Sequence, residues 1–290
     1  MPAPDQTSSE KDLPLTEQLE TSSHPNRIPK TINYVWLGGA ELPEIAQACL
    51  ASWRKQCPDY RIIRWDESNL DIASPFFRNA LENKRWAFAC DYARLWVIHR
   101  HGGIYLDTDV ELVKPLDTLL DYGCYLGEES AGCINTGIGF GAVANHPIVR
   151  SMLEEYDNLT PDEINRPVPC PTRNTAALRK HGYTAAPAAG LQTIGDCAVF
   201  APEFFSPIDF STGARRVTDS TYSIHYFSGT WLSEAQRAFN KYEQRLETKF
   251  PGMSPHLKSV LAGTAAGFKT HDFSMARESI VNAVYALTHR

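Results

Sequence analysis

The sequence predicts an α/β protein in which a mainly parallel central sheet is followed by C-terminal helices. Three patterns support this prediction. Residues 28–65 read as strand, helix and strand; residues 85–106 read as a buried helix, a Gly-Gly turn and a strand; and beyond Trp231 apolar residues recur at helical spacing. Strands that alternate with helices are typical of parallel sheets.

The first half of the chain carries the clearest elements. The run KTINYVWLGG, from Lys30, is rich in strand-forming residues and ends in a Gly-Gly turn. Pro43 opens a helical pattern that places Cys49 and Trp53 on one face. Further elements are expected as a strand at 60–65, a helix at 85–101 closed by Gly102, and strands at 104–106 and 110–113.

Shorter elements are expected in the second half. These are strands at 124–127, 137–143 and 222–227, helices at 147–156 and 173–181, and a loop at 158–170. The predicted domain boundaries follow from these changes in character. They give a mobile tail at 1–27, a core at 28–232 and a helical extension at 233–290.

Composition excludes several functions. The chain has 290 residues, of which 43% are hydrophobic, enough for one sizeable core. Twenty-eight basic against 34 acidic side chains argue against a nucleic-acid partner, which would need a basic excess. The acidic N-terminus has no apolar signal region, so a cytoplasmic location is expected. Seven cysteines without a CxxC pair are interpreted as reduced thiols.

The helical extension has a different charge from the rest of the chain. It holds eight basic and five acidic side chains. One interpretation is a solvated helical cap. The other is docking onto an anionic membrane or a lipid-linked substrate, with peripheral contact at the inner membrane face.

Asp91 and Arg94 are the first charged pair of interest. They lie three residues apart, on one side of a helix that is apolar nearly all round. Burying charges is costly unless they are paired and hydrogen-bonded. The pair is therefore either an internal salt bridge or part of a polar ligand pocket.

Asp107 and Asp109 follow the strand GGIYL directly. In an extended chain both carboxylates face the same way, at the strand end where open α/β sheets bind ligands. A divalent cation would relieve their repulsion, and oxygen ligands favour Mg²⁺ or Mn²⁺. An exposed turn and an acid/base pair of an inverting glycosidase are the alternatives.

The ordered set of motifs resembles a known family. IPKTINYVWLGG at 28–39, Asp91 and Arg94 followed by GGIYLDTDV, and HYFSGTW at 225–231 are similar to glycosyltransferases with an Asp-x-Asp motif. That group includes capsular-polysaccharide transferases, initiation-type mannosyltransferases of family 32 and, more distantly, clostridial glucosylating toxins. The resemblance implies a GT-A-type single nucleotide-binding domain, bound Mn²⁺ (or Mg²⁺), and transfer with retention of configuration.

The resemblance also implies roles for single residues. Trp36 would stack on the base, Tyr105 would contact the donor, and Ser228 and Trp231 would close over the diphosphate. Asp91 and Arg94 would hold the donor sugar and phosphates, Asp107 and Asp109 would bind the metal, and His225 would be a further metal ligand. From the residues alone, Trp36 and His225 could equally be core residues, and Trp231 could anchor a helix.

The expected function is therefore a hexosyl- or N-acetylhexosaminyltransferase. It would move a sugar from a nucleotide sugar, with a UDP-sugar favoured, to a glycan or lipid-linked glycan in bacterial surface polysaccharide synthesis. No Glu or Asp stands out as a nucleophile, so a front-face displacement is the working hypothesis. An effector that modifies a protein and a non-catalytic sugar-nucleotide-binding module are the alternatives.

Overall fold

The fold is described from a computed structural model, which covers residues 27–166, 168–184, 190–209, 212–229 and 232–288. The strands are β1 (Thr31–Val35), β2 (Arg61–Trp65), β3 (Gly103–Tyr105), β4 (Val110–Leu112), β5 (Cys124–Ser130), β6 (Cys133–Ile134), β7 (Phe140–Ala142), β8 (Leu191–Ile194), β9 (Cys197–Phe200) and β10 (Ser223–His225). The helices are α1 (Glu44–Gln56), α2 (Pro75–Glu82), α3 (Trp86–His101), α4 (Pro147–Asp157), α5 (Pro161–Asn165), α6 (Cys170–Arg179), α7 (Pro202–Phe205), α8 (Glu234–Lys249), α9 (Pro255–Thr270) and α10 (Ser274–Thr288).

The central sheet has the strand order β2-β1-β3-β7-β5-β9-β8, with β6 paired to β5. The pairs β1–β2, β1–β3 and β5–β9 are parallel, whereas β7 is antiparallel to both of its neighbours and β8 is antiparallel to β9. Five strands of this order therefore run in one direction. The predicted mainly parallel α/β sheet with C-terminal helices is confirmed.

Two hydrophobic cores lie on the two faces of this sheet. Along β1, Ile32 and Tyr34 pack into one core and Val35 packs into the other, as the alternation of side chains in a strand requires. Asn33, which is fully buried, ties three strands together. Its amide donates to the carbonyl oxygen of Ile104 at 3.2 Å, and its oxygen accepts from Trp65 Nε1 at 2.9 Å.

Helix α3 is buried and leads directly into strand β3 through Gly102 and Gly103. Its residues Ala89, Ala93 and Leu95 have no exposed surface, as expected for a helix that is apolar all round. The helix ends at Gly102, and Gly103 then has a φ of +98°. A Cβ at Gly103 would lie 2.8 Å from the carbonyl oxygen of Thr31, so a glycine here lets β3 pair closely with β1.

The structure differs from the sequence prediction in several elements. Helix α5 occupies part of the predicted loop at 158–170, because Thr160 and Glu163 form a reciprocal capping box and Pro161 opens the helix. Helices α2 and α7, strand β6 and the hairpin β8–β9 were not predicted. The predicted tail at 1–27 lies outside the described residues, apart from Arg27.

The C-terminal helices pack through small residues. Helix α9 contacts both α8 and α10. A Cβ at Gly263 would lie 2.8 Å from backbone atoms of Ala276, and one at Gly267 would lie 2.4 Å from the ring of Phe273. The two glycines thus allow the close approach of α9 and α10.

Candidate active site

Asp107, Asp109 and His225 meet at one edge of the sheet. The two aspartates lie between β3 and β4. Strand β10 runs antiparallel to β4 with His225 opposite Val110, and the amide of Tyr226 donates to the carbonyl oxygen of Asp109 at 3.0 Å. One ligand atom from each of the three side chains lies within 4.8 Å of the others. The β4–β10 pairing thus brings together residues more than a hundred positions apart.

Asp109 is held as an ionised carboxylate. Its Oδ2 atom accepts hydrogen bonds from the backbone N and the Oγ of Ser228, both at 2.8 Å, and its Oδ1 lies 3.4 Å from His225 Nε2. Burial opposes ionisation, but the charge of His225 and the Ser228 hydrogen bonds hold the pKa of Asp109 well below its usual range. The pKa of His225 is raised, because the Asp109 carboxylate outweighs burial.

This cluster fits a divalent metal ion. Within the described part of the chain, the buried Nδ1 atom of His225 has no hydrogen-bond partner. Two carboxylates set side by side repel each other, and a cation between them offsets that repulsion. Asp107, Asp109 and His225 are therefore the residues that would hold such an ion.

Arg94 links the cluster to helix α3. Its guanidinium Nη2 lies 3.3 Å from Asp91 Oδ1 and 3.1 Å from Asp107 Oδ1. Burial raises the pKa of Asp91 to about 6, against the opposing effect of Arg94. Burial also raises the pKa of Asp107. Asp91 and Arg94 therefore form the internal salt bridge and also line the polar pocket, so both interpretations of the pair apply.

Tyr105 lies behind the site rather than in it. Its side chain is 1% exposed and does not line the cavity, in contrast to the donor contact expected from the resemblance. Its hydroxyl donates to Asp107 Oδ1 at 2.9 Å, and the Arg94 guanidinium lies 5.1 Å from the centre of its ring. Tyr105 is the last residue of β3, and its side chain packs into the core while its hydroxyl orients Asp107.

A cavity of about 680 Å³ opens over these residues. Seven of the nine residues predicted for the site line it: Trp36, Asp91, Arg94, Asp107, Asp109, His225 and Ser228. Trp36 directly follows β1, and its Nε1 donates to the carbonyl oxygen of Ala40 at 2.7 Å. Trp231 lies outside the described residues. The structure thus gathers motifs that span most of the predicted core.

Other lining residues were not singled out from the sequence. They include Trp86, Phe88, Cys90, Glu129, Cys170 and Asn240. Glu129 had a detectable signal, since it follows the predicted strand at 124–127 at the sheet edge where the aspartates also lie. Asn240 had none, because only packing of α8 brings it to the cavity.

The geometry contradicts the glycosidase alternative. An inverting glycosidase needs its two carboxyl groups about 6.5–9.5 Å apart, to leave room for water. Here oxygens of Asp107 and Asp109 lie within 4.8 Å of each other, in one cluster with His225.

Comparison with known proteins agrees with the motifs. Residues 43–126 match the family described as "Glycosyltransferase sugar-binding region containing DXD motif". The matched segment is less than a third of the chain. The segment holds Asp91, Arg94, Asp107 and Asp109, whereas Trp36, Glu129 and His225 lie outside its bounds.

Sequence relatives of this sugar-binding region include fungal enzymes. Inositol phosphoceramide mannosyltransferase 3 of Schizosaccharomyces pombe is 30% identical over 127 residues, which cover 42% of this chain and 35% of that protein. Mannosyl phosphorylinositol ceramide synthase SUR1 of Saccharomyces cerevisiae is 28% identical over 164 residues, 51% of this chain and 41% of that protein. The chain thus spans less than half the length of either relative.

Comparison with solved structures finds two glycosyltransferases. The PaToxG glycosyltransferase has a TM-score of 0.44 and 18% identity, and covers 54% of this chain and 70% of its own. A glycosyltransferase involved in glycosylation of the major capsid of PBCV-1 has a TM-score of 0.43 and 15% identity, and covers 74% of this chain and 99% of its own.

Proposed function

We propose that the protein is a glycosyltransferase that moves a sugar from a nucleotide sugar to a hydroxyl group of a glycan or lipid-linked acceptor. The observation that carries this proposal is the cluster of Asp107, Asp109 and His225, next to Arg94, in a cavity of the DXD region. Mn²⁺ or Mg²⁺ is the proposed ion. A divalent ion bound there supplies positive charge that stabilises a leaving nucleoside diphosphate.

Different residues of the cavity would bind the base, the sugar and the phosphates of the donor. Trp36 offers a flat face to the base at the β1 end of the cavity. The ionised Asp91 carboxylate accepts hydrogen bonds from hydroxyls of the donor sugar, and Arg94 faces the phosphates. Ser228 fixes the orientation of Asp109 through two hydrogen bonds.

Transfer with retention, through entry of the acceptor hydroxyl on the face from which the diphosphate leaves, is the mechanism we propose. It requires no covalent intermediate. A glycosyl adduct trapped on any carboxylate of the cavity, and detected by mass spectrometry of the intact protein, would contradict it.

The nature of the sugar and acceptor is also a proposal. One fungal relative is named an inositol phosphoceramide mannosyltransferase and the other a mannosyl phosphorylinositol ceramide synthase, so their names favour mannose and a lipid headgroup. Bacterial surface polysaccharide, the acceptor predicted from the sequence, gains no support from those names. A UDP-sugar remains the donor implied by the resemblance.

A panel of nucleotide sugars tests the activity. Purified protein is incubated with UDP-sugars and GDP-mannose, with Mn²⁺ or with chelator, and the released nucleoside diphosphate is measured. Slow release from one donor that requires the ion supports the proposal. Absence of both release and nucleotide binding would overturn it, whereas binding without release would favour the non-catalytic module.

Asp91 predicts a pH dependence. Because its pKa is raised to about 6, the Asp91 carboxylate becomes protonated as the pH falls through 6. Its two oxygens can then no longer both accept hydrogen bonds from the hydroxyls of the donor sugar. At saturating metal we expect kcat/KM to fall about tenfold per pH unit below that value. Asp91→Asn should be slow at every pH and should lack this acidic limb. An unchanged limb in Asp91→Asn would assign the titration to another group.

We also propose peripheral contact between the C-terminal helices and a membrane surface. No helix within the described ranges is long and apolar enough to cross a bilayer. However, Leu257, Leu261 and Phe268 form an exposed stripe on α9, and Phe268, 72% exposed, meets Phe273 at the start of α10 with ring centres 5.4 Å apart. Exposed apolar faces on a basic segment are typical of helices that lie on membranes.

Vesicle sedimentation tests this contact. The protein should sediment with vesicles of phosphatidylcholine and phosphatidylserine. The double variant Leu261→Ser, Phe268→Ser should bind at least about tenfold more weakly, because two large apolar side chains are no longer buried in the membrane. Val217→Ser, at an exposed apolar residue elsewhere, is the control. Equal sedimentation of all three proteins, or of none, would contradict the proposal.

A further inference from the structure

Four carboxylates line the cavity, and Glu129 differs from the other three. Asp91 and Asp107 pair with Arg94, and Asp109 pairs with His225 and Ser228. Within the described ranges, no basic side chain forms an ion pair with Glu129. The hydrogen bond that its carboxylate accepts comes from the side-chain amide of Asn135. Glu129 is thus a cavity carboxylate that neither Arg94 nor the metal cluster employs.

The orientation of the Asn135 amide is fixed. Its Oδ1 atom accepts from the backbone N of Gly137 at 2.7 Å and lies 3.6 Å from Cys170 Sγ. Because a backbone amide is always a donor, Oδ1 must face Gly137 and Nδ2 must face Glu129. Asn135 therefore holds one oxygen of Glu129, which leaves further acceptor capacity for a ligand.

In the order of the strands, the metal cluster lies between Trp36 and Glu129. Strands β1, β3 and β5 run in one direction; Trp36 and Asp107 follow β1 and β3, and Glu129 is the residue before the last of β5. Antiparallel β7 separates β3 from β5, so with strands about 4.8 Å apart these two strands are roughly 10 Å apart in the sheet. In the proposed function the base lies at Trp36 and the diphosphate at Asp107, so the sugar and the incoming acceptor extend towards Glu129.

We propose that Glu129, oriented by Asn135, forms the acceptor subsite and accepts a hydrogen bond from a hydroxyl of the acceptor. This inference rests on the proposed function. A carboxylate accepts hydrogen bonds and repels anions, so the group bound here is a neutral polyol, such as a sugar or cyclitol ring, and not a phosphate. The hydrogen bond holds the polyol ring so that another of its hydroxyls can attack the anomeric carbon, which is a positioning effect.

The test separates transfer from hydrolysis. Nucleoside diphosphate release is measured with water alone and with methyl α-mannoside, methyl α-glucoside or myo-inositol, for wild type, Glu129→Gln and Glu129→Ala. Glu82→Gln, at an exposed carboxylate at the end of α2, is the control. Metal-dependent binding of the nucleoside diphosphate is measured on each protein by calorimetry.

A polyol should accelerate release by the wild type. Glu129→Gln should lower kcat/KM for that polyol about 10-fold and Glu129→Ala about 100-fold, as expected for the loss of a hydrogen bond to a charged group. Nucleotide affinity should stay within about twofold, since the nucleoside diphosphate does not contact Glu129. Release in water alone should fall far less than release with the polyol, since water has no ring for Glu129 to hold.

Three results would overturn the inference. Equal loss of hydrolysis and transfer would place Glu129 on the donor, unchanged transfer in both variants would give it no role, and a wild type that no polyol accelerates would remove the hydroxyl subsite. Failure of the proposed function looks different, because the wild type would then neither bind nor hydrolyse any nucleotide sugar.

Discussion

Asp109→Asn is expected to lower turnover of the nucleotide sugar by about a thousandfold or more. Asp109 is the carboxylate whose pKa is depressed, so it is charged at every working pH, and it sits between His225 and Ser228. The amide has the same shape but no charge, and the metal's contribution of several kcal/mol to stabilising the leaving group would be lost. Release of nucleoside diphosphate at saturating Mn²⁺ measures the effect.

The fold should tolerate this change. Asparagine keeps an oxygen that accepts the hydrogen bond from the backbone N of Ser228 but loses the ion pair with His225, so the melting temperature should fall by only a few degrees. Asp162→Asn, at a carboxylate whose side chain is 86% exposed, is the matched control. Turnover by Asp109→Asn within about tenfold of the wild type would show that the DXD aspartate is not a metal ligand.

Gly137→Ala is expected to lower turnover by about a hundredfold without unfolding the protein. A Cβ at this position would lie 2.2 Å from Asp107 Oδ2 and 2.8 Å from Arg94 Nη1. The backbone cannot withdraw easily, since the carbonyl oxygen of Gly137 accepts from the amide of Asp107 at 3.1 Å and its own amide donates to Asn135. The methyl group must therefore displace the Asp107 carboxylate or the guanidinium, and displacements of about 1 Å in a site cost about a hundredfold in rate.

The control for this variant is Gly252→Ala. Both glycines have ordinary backbone angles, and a Cβ at Gly252 would meet no atom within 4 Å. Steady-state kinetics are measured over a titration of Mn²⁺. Gly137→Ala should need a higher Mn²⁺ concentration than the wild type to reach half of its maximal rate, whereas Gly252→Ala should need the same concentration. Wild-type kinetics in Gly137→Ala would mean that Asp107 does not need its position beside Arg94.

Much of the fold and part of the site could be predicted from the sequence because the signals are local. The apolar helix ahead of Gly102 and the strand before Asp107 are continuous segments, and the structure has both. Asp91 and Arg94 needed only helical spacing to be placed together. Tyr105 does not line the cavity because its side chain, at the end of β3, packs into the core, which the motif alone does not show.

The remaining features depend on long-range packing. His225 reaches Asp109 only through the register of β10 on β4, and Glu129 joins the cavity only because β5 lies two strands from β3. The position of Asn240 in the cavity depends on how α8 packs against the core.

Helix α5 could have been predicted, since Thr160 and Glu163 have the spacing of a capping box.

The most direct test of the account is the binding of UDP and GDP, measured by titration calorimetry with Mn²⁺ and after chelation, in wild type and Asp109→Asn. The claim under test is that Asp107, Asp109 and His225 hold an ion that binds a nucleoside diphosphate. We predict that the wild type binds one of the two nucleotides only when Mn²⁺ is present, and that Asp109→Asn binds it at least about a hundredfold more weakly. Equal affinity with and without the ion, or equal affinity in the variant, would contradict the claim.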